Sequence, residues 1–182
     1  MHRALSALFA TGLLALGLVA CAAAPGESRE TTAPVPPVVE NSGPEAGAAA
    51  DAADAGAALC ATGVETDADV CVIEQQAAEA DVVFDAYRVV KLIDASFPGT
   101  VTISGAEQVV IEGTTVDGDL MLTQNDGVVL TDSDISRNAT VSGGEHATIV
   151  SNDVAGDLTC DGARVDGRGN SVAGANACAG LR

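Results

Sequence analysis

The sequence predicts an all-β fold: a small parallel β-helix (solenoid) of about five 19-residue coils with a short helical or irregular N-terminal cap. Three observations predict it. Between Val82 and Gly174 apolar residues come in pairs two apart, the side-chain period of a strand. The pairs return every nineteen residues, as in Val101 with Ile103, Leu120 with Leu122, and Ala139 with Val141. Chain breakers stand between them, among them Pro98-Gly99, Gly105, Gly113, Asn125-Asp126-Gly127, Gly143-Gly144 and Gly162.

From the N-terminus, residues 1–20 read as a targeting segment rather than as part of a fold. His2 and Arg3 open it, and Ala4 to Val19 is apolar apart from Ser6 and Thr11, which is short for a membrane span. It ends Leu18-Val19-Ala20-Cys21, which resembles a bacterial lipobox. That resemblance implies a lipoprotein signal peptide and a mature chain that starts at lipidated Cys21. Such a protein sits in the cell envelope, extracytoplasmic and held to the membrane by lipid, and two or more acyl chains make the hold stable. The plainer alternative is an ordinary signal peptide with a chance cysteine.

Residues 21–58 are expected to be a disordered tether. They are Ala, Gly, Pro, Ser, Thr and acid, with little large apolar beyond Val35, Val38 and Val39, too little to offset the entropy of ordering. Pro34, Pro36 and Pro37 favour extended backbone, and the alanine–acid run after Gly43 suits loose coil or transient helix. Residues 59–81 would form an N-terminal cap and 82–182 the solenoid.

Each coil carries three short series. The first is Val82 with Phe84, Val101 with Ile103, Leu120 with Leu122, Ala139 with Val141, and Leu158 with Cys160. The second is Val90 with Leu92, Val109 with Ile111, Val128 with Leu130, and Ala147 with Ile149, continued by Val165 after a shortened turn. The third is Phe97, Val116, Ile135 and Val154, with Val172 one residue early. Coils stacked at about 4.8 Å would be held by neighbouring backbones, and their narrow interior suits aliphatic rather than aromatic side chains. A right-handed winding is the common sense of parallel crossovers. An antiparallel sandwich of hairpins would also use period-two pairs, but it has no need of one fixed spacing. Residues 72–90 could alternatively form an amphipathic helix, which leaves the first coil (82–100) open between strand and helix.

With Cys21 assigned to lipid, Cys60, Cys71, Cys160 and Cys178 remain, and export places them where disulfides form. Four cysteines allow three connectivities; position favours neighbours, Cys60 with Cys71 and Cys160 with Cys178. Bridges there would also protect the open strand edges at the two ends of a stack. The stretch Asn152-Asp153-Val154-Ala155-Gly156-Asp157-Leu158-Thr159-Cys160, followed by Gly169-Asn170-Ser171-Val172-Ala173-Gly174 and Cys178, resembles the closing turns of secreted actinobacterial proteins of unknown function. Those proteins carry Asn-x-Val-x-Gly repeats and a terminal cysteine pair. The earlier coils depart from that pattern, with Thr114 and Ser133 where Asn is expected. The resemblance implies the coil and the disulfide, and brings no activity with it.

Charge narrows the partners. With 26 acidic against 8 basic residues the net charge is -18, which repels nucleic acid and anionic headgroups. Aromatics are 2% of the chain, too few for platforms on which sugars or bases stack. No phosphate loop, nucleophile elbow or cofactor motif is present, and His146 follows Gly143-Gly144-Glu145 with no spaced ligand around it, so no catalytic residue and no cofactor is expected. Carboxylates are the remaining chemistry. Asp119 and Asp157 share one coil position with Asn138 between them; Asp134 and Asp153 share another; Asp117 lies near both. Such ladders could hold calcium through oxygen, although Asp also favours solvated corners. Thr102, Thr140 and Thr159 form a polar outward row that Met121 interrupts and that suggests an ice-binding surface, and Val110 with Val129 make a small outward apolar strip that residues 59–81 could cover. The expectation is a non-enzymatic structural or binding module of the envelope, with a glycan or protein as partner. The alternative is a polysaccharide-binding or polysaccharide-processing surface protein using the Asp ladders.

Overall fold

The computed structural model describes residues 45–64 and 67–181. The targeting segment, Cys21 and the first part of the expected tether lie outside them. Residues 41–182 form one compact unit, and every member of the hydrophobic core belongs to it.

The chain enters as helix α1 (Glu45–Ala61), continues through β1 (Val70–Glu74), and then winds in coils. Successive coils contribute β2 (Val82–Phe84), β3 (Val89–Ile93) and β4 (Ser96–Phe97); β5 (Val101–Ser104), β6 (Gln108–Glu112) and β7 (Thr115–Val116); β8 (Leu120–Thr123), β9 (Gly127–Thr131) and β10 (Asp134–Ile135). Then follow β11 (Ala139–Ser142), β12 (His146–Val150) and β13 (Asp153–Val154), and finally β14 (Leu158–Asp161), β15 (Arg164–Arg168) and β16 (Ser171–Val172). All pairings are parallel. They build a first sheet β2-β5-β8-β11-β14, a second sheet β1-β3-β6-β9-β12-β15 and a third sheet β4-β7-β10-β13-β16. Parallel stacking of every strand on its counterpart one coil away makes a β-solenoid and excludes the sandwich.

The register is the one that the apolar pairs require. Leu120 pairs with Ala139 and Ala139 with Leu158, so the inward residues form a continuous column. Val101, Leu120, Ala139 and Leu158 are all buried, as are Val90, Val109, Val128 and Ala147 in the second sheet. Ser142 pairs with Asp161 nineteen residues on, whereas His146 pairs with Arg164 eighteen on, so the last turn is shortened before β15. Val154 accordingly faces Val172.

Corners need backbone that turns sharply. The residue that follows each strand of the second sheet has positive φ: Gln75, Asp94, Gly113, Asp132, Ser151 and Gly169, between 48° and 72°. Only two of the six are glycine, so the stack holds four side-chain-bearing residues in a left-handed conformation that normally costs an L-residue about 1–2 kcal/mol.

Two boundaries differ from expectation, and the first coil, left open between strand and helix, is decided. Residues 45–58, read as the end of the tether, belong to α1. Alanine is the strongest helix former, and the helix is fastened by tertiary contacts rather than by propensity alone. Ala52 is buried, and Gly56 lies so close to β2 that a methyl group there would collide with the Val83 carbonyl oxygen. The expected cap 59–81 contains a full rung of the second sheet, β1, and Ala77 bridges to Ser96 in the third. Residues 72–90 hold the end of β1, all of β2 and the start of β3 with turns between them and no helix, so the first coil is built of strands like the others. No helix among the described residues is long and apolar enough to cross a membrane.

Candidate functional site

Side chains that repeat along the coils fall into an inner polar column, an outer corner ladder, and three outward sheet faces. The inner column stands where the second sheet turns toward the third: Ala95, Thr114, Ser133, Asn152 and Asn170. Thr114, Ser133 and Asn152 are buried. Asn152 accepts the Ser133 N–H at 3.0 Å, and its amide donates to the Leu130 carbonyl at 2.9 Å. Asn170 accepts the Asn152 N–H at 2.9 Å and donates to the Ile149 carbonyl at 2.8 Å. Ser133 accepts the Thr114 N–H at 3.2 Å, and the Thr114 hydroxyl reaches the Leu92 carbonyl at 3.1 Å. Thr114 and Ser133, the departures from Asn, thus do part of the same work with shorter side chains. Asn125 is a parallel device one corner earlier, accepting from Ala106 N–H and donating to the Ile103 carbonyl, both at 2.9 Å.

The outer ladder absorbs one of the two proposed Asp rows. Asp81 accepts the Thr100 N–H at 2.7 Å. Asp119 accepts both the backbone N–H and the side-chain amide of Asn138, at 3.0 and 2.9 Å. Asn138 accepts the Asp157 N–H at 3.0 Å, and Asp157 accepts the Ala175 N–H at 2.7 Å. Each member clips the next coil by its backbone. The sequence signal for it was the shared coil position of Asp119, Asn138 and Asp157; Asp81 was missed, being separated from Asp119 in that row by Thr100.

The other row is free. Asp134 pairs in register with Asp153, both exposed, beside a shallow depression of about 180 Å³ that Ser136 and Ala155 also line. Asp117 lies apart from them, with its carboxylate 3.5 Å from the Ser136 hydroxyl. Among the described residues no three His, Cys, Asp or Glu side chains gather into a metal-binding group, so Asp117, Asp119, Asp134, Asp153 and Asp157 do not converge on one calcium position. His146 is exposed, with its Nε2 3.2 Å from the Thr148 hydroxyl.

The cysteines join as Cys60–Cys71 and Cys160–Cys178. The first ties α1 to β1. The second ties β14 to a C-terminal segment that extends the stack, with the Ala177 N–H donating to the Leu158 carbonyl at 2.8 Å. Both ends of the solenoid are covered in this way.

Outward faces differ sharply. The first sheet presents Thr102, Met121, Thr140 and Thr159 with Ser104, Thr123 and Ser142 in the adjoining file, a hydroxyl surface broken by the exposed Met121. The second sheet presents Val110 and Val129 at its centre, both half-buried. The described part of the segment expected to cover them forms the end of α1, a turn, and β1 with its corner instead, and both valines keep part of their surface exposed. At the C-terminal end of that face, Thr148, Val150, Asp166 and Arg168 border an open cleft of about 860 Å³ beside Leu181. Comparison with family models, curated proteins and solved structures found no match for this chain, so a functional reading rests on its own residues.

Proposed function

We propose that the chain is a non-enzymatic, lipid-anchored module of the cell envelope, a stapled solenoid carried on a spacer and presenting flat strand faces to a glycan or protein partner. One observation carries this reading: the ladder of Asp119, Asn138 and Asp157 is spent on backbone N–H groups of the neighbouring coil and so builds the stack rather than a reactive centre. A catalytic pair of carboxylates needs two acids flanking one bond; these acids each face a peptide nitrogen. The Leu18-Val19-Ala20-Cys21 sequence supplies the anchor in this proposal, with the lipid on Cys21.

Asp134 and Asp153, stacked and exposed by their depression, favour a second reading in which that face binds or processes an envelope polysaccharide. Two measurements decide. Labelled palmitate should enter the full chain expressed in a bacterial host and fail to enter the Cys21→Ser variant. Residues 41–182, incubated with envelope glycans with and without calcium, should release no product; turnover that disappears in Asp134→Asn with Asp153→Asn would overturn the non-enzymatic reading.

A further inference from the structure

The outward face of the second sheet carries charge in a pattern found on neither other face. Of the five basic residues among those described, Arg88, Lys91, Arg164 and Arg168 lie on this sheet or at its entry corner, and only Arg137 lies elsewhere. The strands are five residues long with alternate residues pointing outward, as the burial of β6 and β9 records. Three files therefore run along the stack.

One edge file reads, rung by rung, Glu74, Ile93, Glu112, Thr131, Val150, Arg168. It has acid at the N-terminal end, base at the C-terminal end, and apolar residues placed symmetrically between. The middle file reads Val72, Lys91, Val110, Val129, Thr148, Asp166, with Val72 covered and the remainder half-buried or exposed. Its two central valines are the apolar strip.

We propose that this face is the contact between two copies of the chain, packed face to face about a two-fold axis parallel to the strands. Such an axis leaves each file over itself and reverses the order of rungs, so the same patch of each copy is used and every contact occurs twice, as in any two-fold interface. Glu74 of one copy then meets Arg168 of the other, Ile93 meets Val150, and Glu112 meets Thr131. In the middle file Val110 meets Val129. Both arginine–glutamate contacts occur once in each direction, and the valines pack at the centre, where an interface gains most from excluding water.

Neither other face offers this match. Outward residues of the first and third sheets include no base, so a second copy would bring Asp onto hydroxyls or onto Asp. In a strongly acidic chain the charge overall opposes association, which makes the segregation of bases onto one face the feature that permits it.

Strand spacing and rise give a face of about 450 Å² per copy, or about 900 Å² in the pair. This is below the ~1,200–2,000 Å² of stable complexes, so the dimer is weak. Sedimentation equilibrium of residues 41–182 at low salt, from micromolar to about 1 mM, should show monomer passing to dimer. Glu74→Arg and Arg168→Glu should each weaken the dimer about tenfold or more, and the double variant should recover most of the loss, since exchanging both partners restores the pair. Both side chains are exposed, and unchanged thermal unfolding of each variant would establish that the fold is intact. A Val129→Glu variant should abolish the dimer. Monomer throughout the range would overturn the proposal and leave the face to another occupant. So would a dimer that the single reversals leave unaltered, or a double variant no tighter than the singles.

Discussion

Two kinds of column run the length of this solenoid, and they follow different rules. Leu120, Ala139 and Leu158 stack in register inside the first sheet, and their neighbours in the file range from Val to Leu to Ala. Dispersion and water exclusion are non-directional, so this column asks only that the summed volume fill the coil. Thr114, Ser133, Asn152 and Asn170 stack at a corner of the same coils; each donates to a particular carbonyl, and Ser133, Asn152 and Asn170 each also accept a particular N–H. Among the described residues no buried side-chain nitrogen or oxygen is left without a partner. A hydrocarbon column thus tolerates exchange of identity, whereas an amide column tolerates exchange only among residues that keep the bond.

That contrast can be pressed from the strongest perturbation downward. Leu120→Ala should destabilise residues 41–182 by about 2–5 kcal/mol in denaturant unfolding, while Leu120→Met should cost less than about 1.5 kcal/mol. If the methionine exchange proved as damaging as the alanine, the interior would be more shape-specific than its Val, Ile, Leu and Ala usage implies. Asn152→Ala should cost about 1–3 kcal/mol, because the Ser133 N–H and the Leu130 carbonyl are stranded away from water. Asn152→Leu, which keeps the branched skeleton but is bulkier and makes no hydrogen bond, should rescue none of it, which is the reverse of the leucine–methionine result. The smallest effect lies outside both columns. Ser151 holds φ at 58°, and Ser151→Gly should stabilise by at most about 1 kcal/mol, read as a small rise in melting temperature, since relief of left-handed strain is partly offset by glycine's greater freedom when unfolded.

The same contrast explains how much could be read from the chain alone. Alternation at two and recurrence at nineteen placed the strands, their parallel stacking, the shortened turn before Val165 and the early Val172. Cys60 and Cys71 joined as their positions favoured, as did Cys160 and Cys178. The corner column was half legible: Asn152 and Asn170 stood out, but Thr114 and Ser133 looked like departures because a hydroxyl and an amide look unlike in sequence, although both donate to backbone carbonyls and Ser133 also accepts an N–H as the amides do. Asp119, Asn138 and Asp157 were seen as a ladder, yet their orientation toward the next coil could not be seen. The helix from Glu45 was read as spacer because Ala-rich sequence makes the two look alike, and tertiary contacts such as the burial of Ala52 and the close fit of Gly56 against Val83 separate them.

What the residues determined by themselves is therefore the coil: which side chains point inward is a property of strand alternation, and a period of nineteen repeats it without reference to anything distant. What the tertiary structure decided is the use of everything polar. Whether a given Asp is a ligand, a clip or a bare charge depends on the atom that lies one coil away across about 4.8 Å. The same distance dependence gathers Glu74, Val110, Val129 and Arg168, far apart in the chain, onto one face whose charge and apolar order only the stacking brings into line.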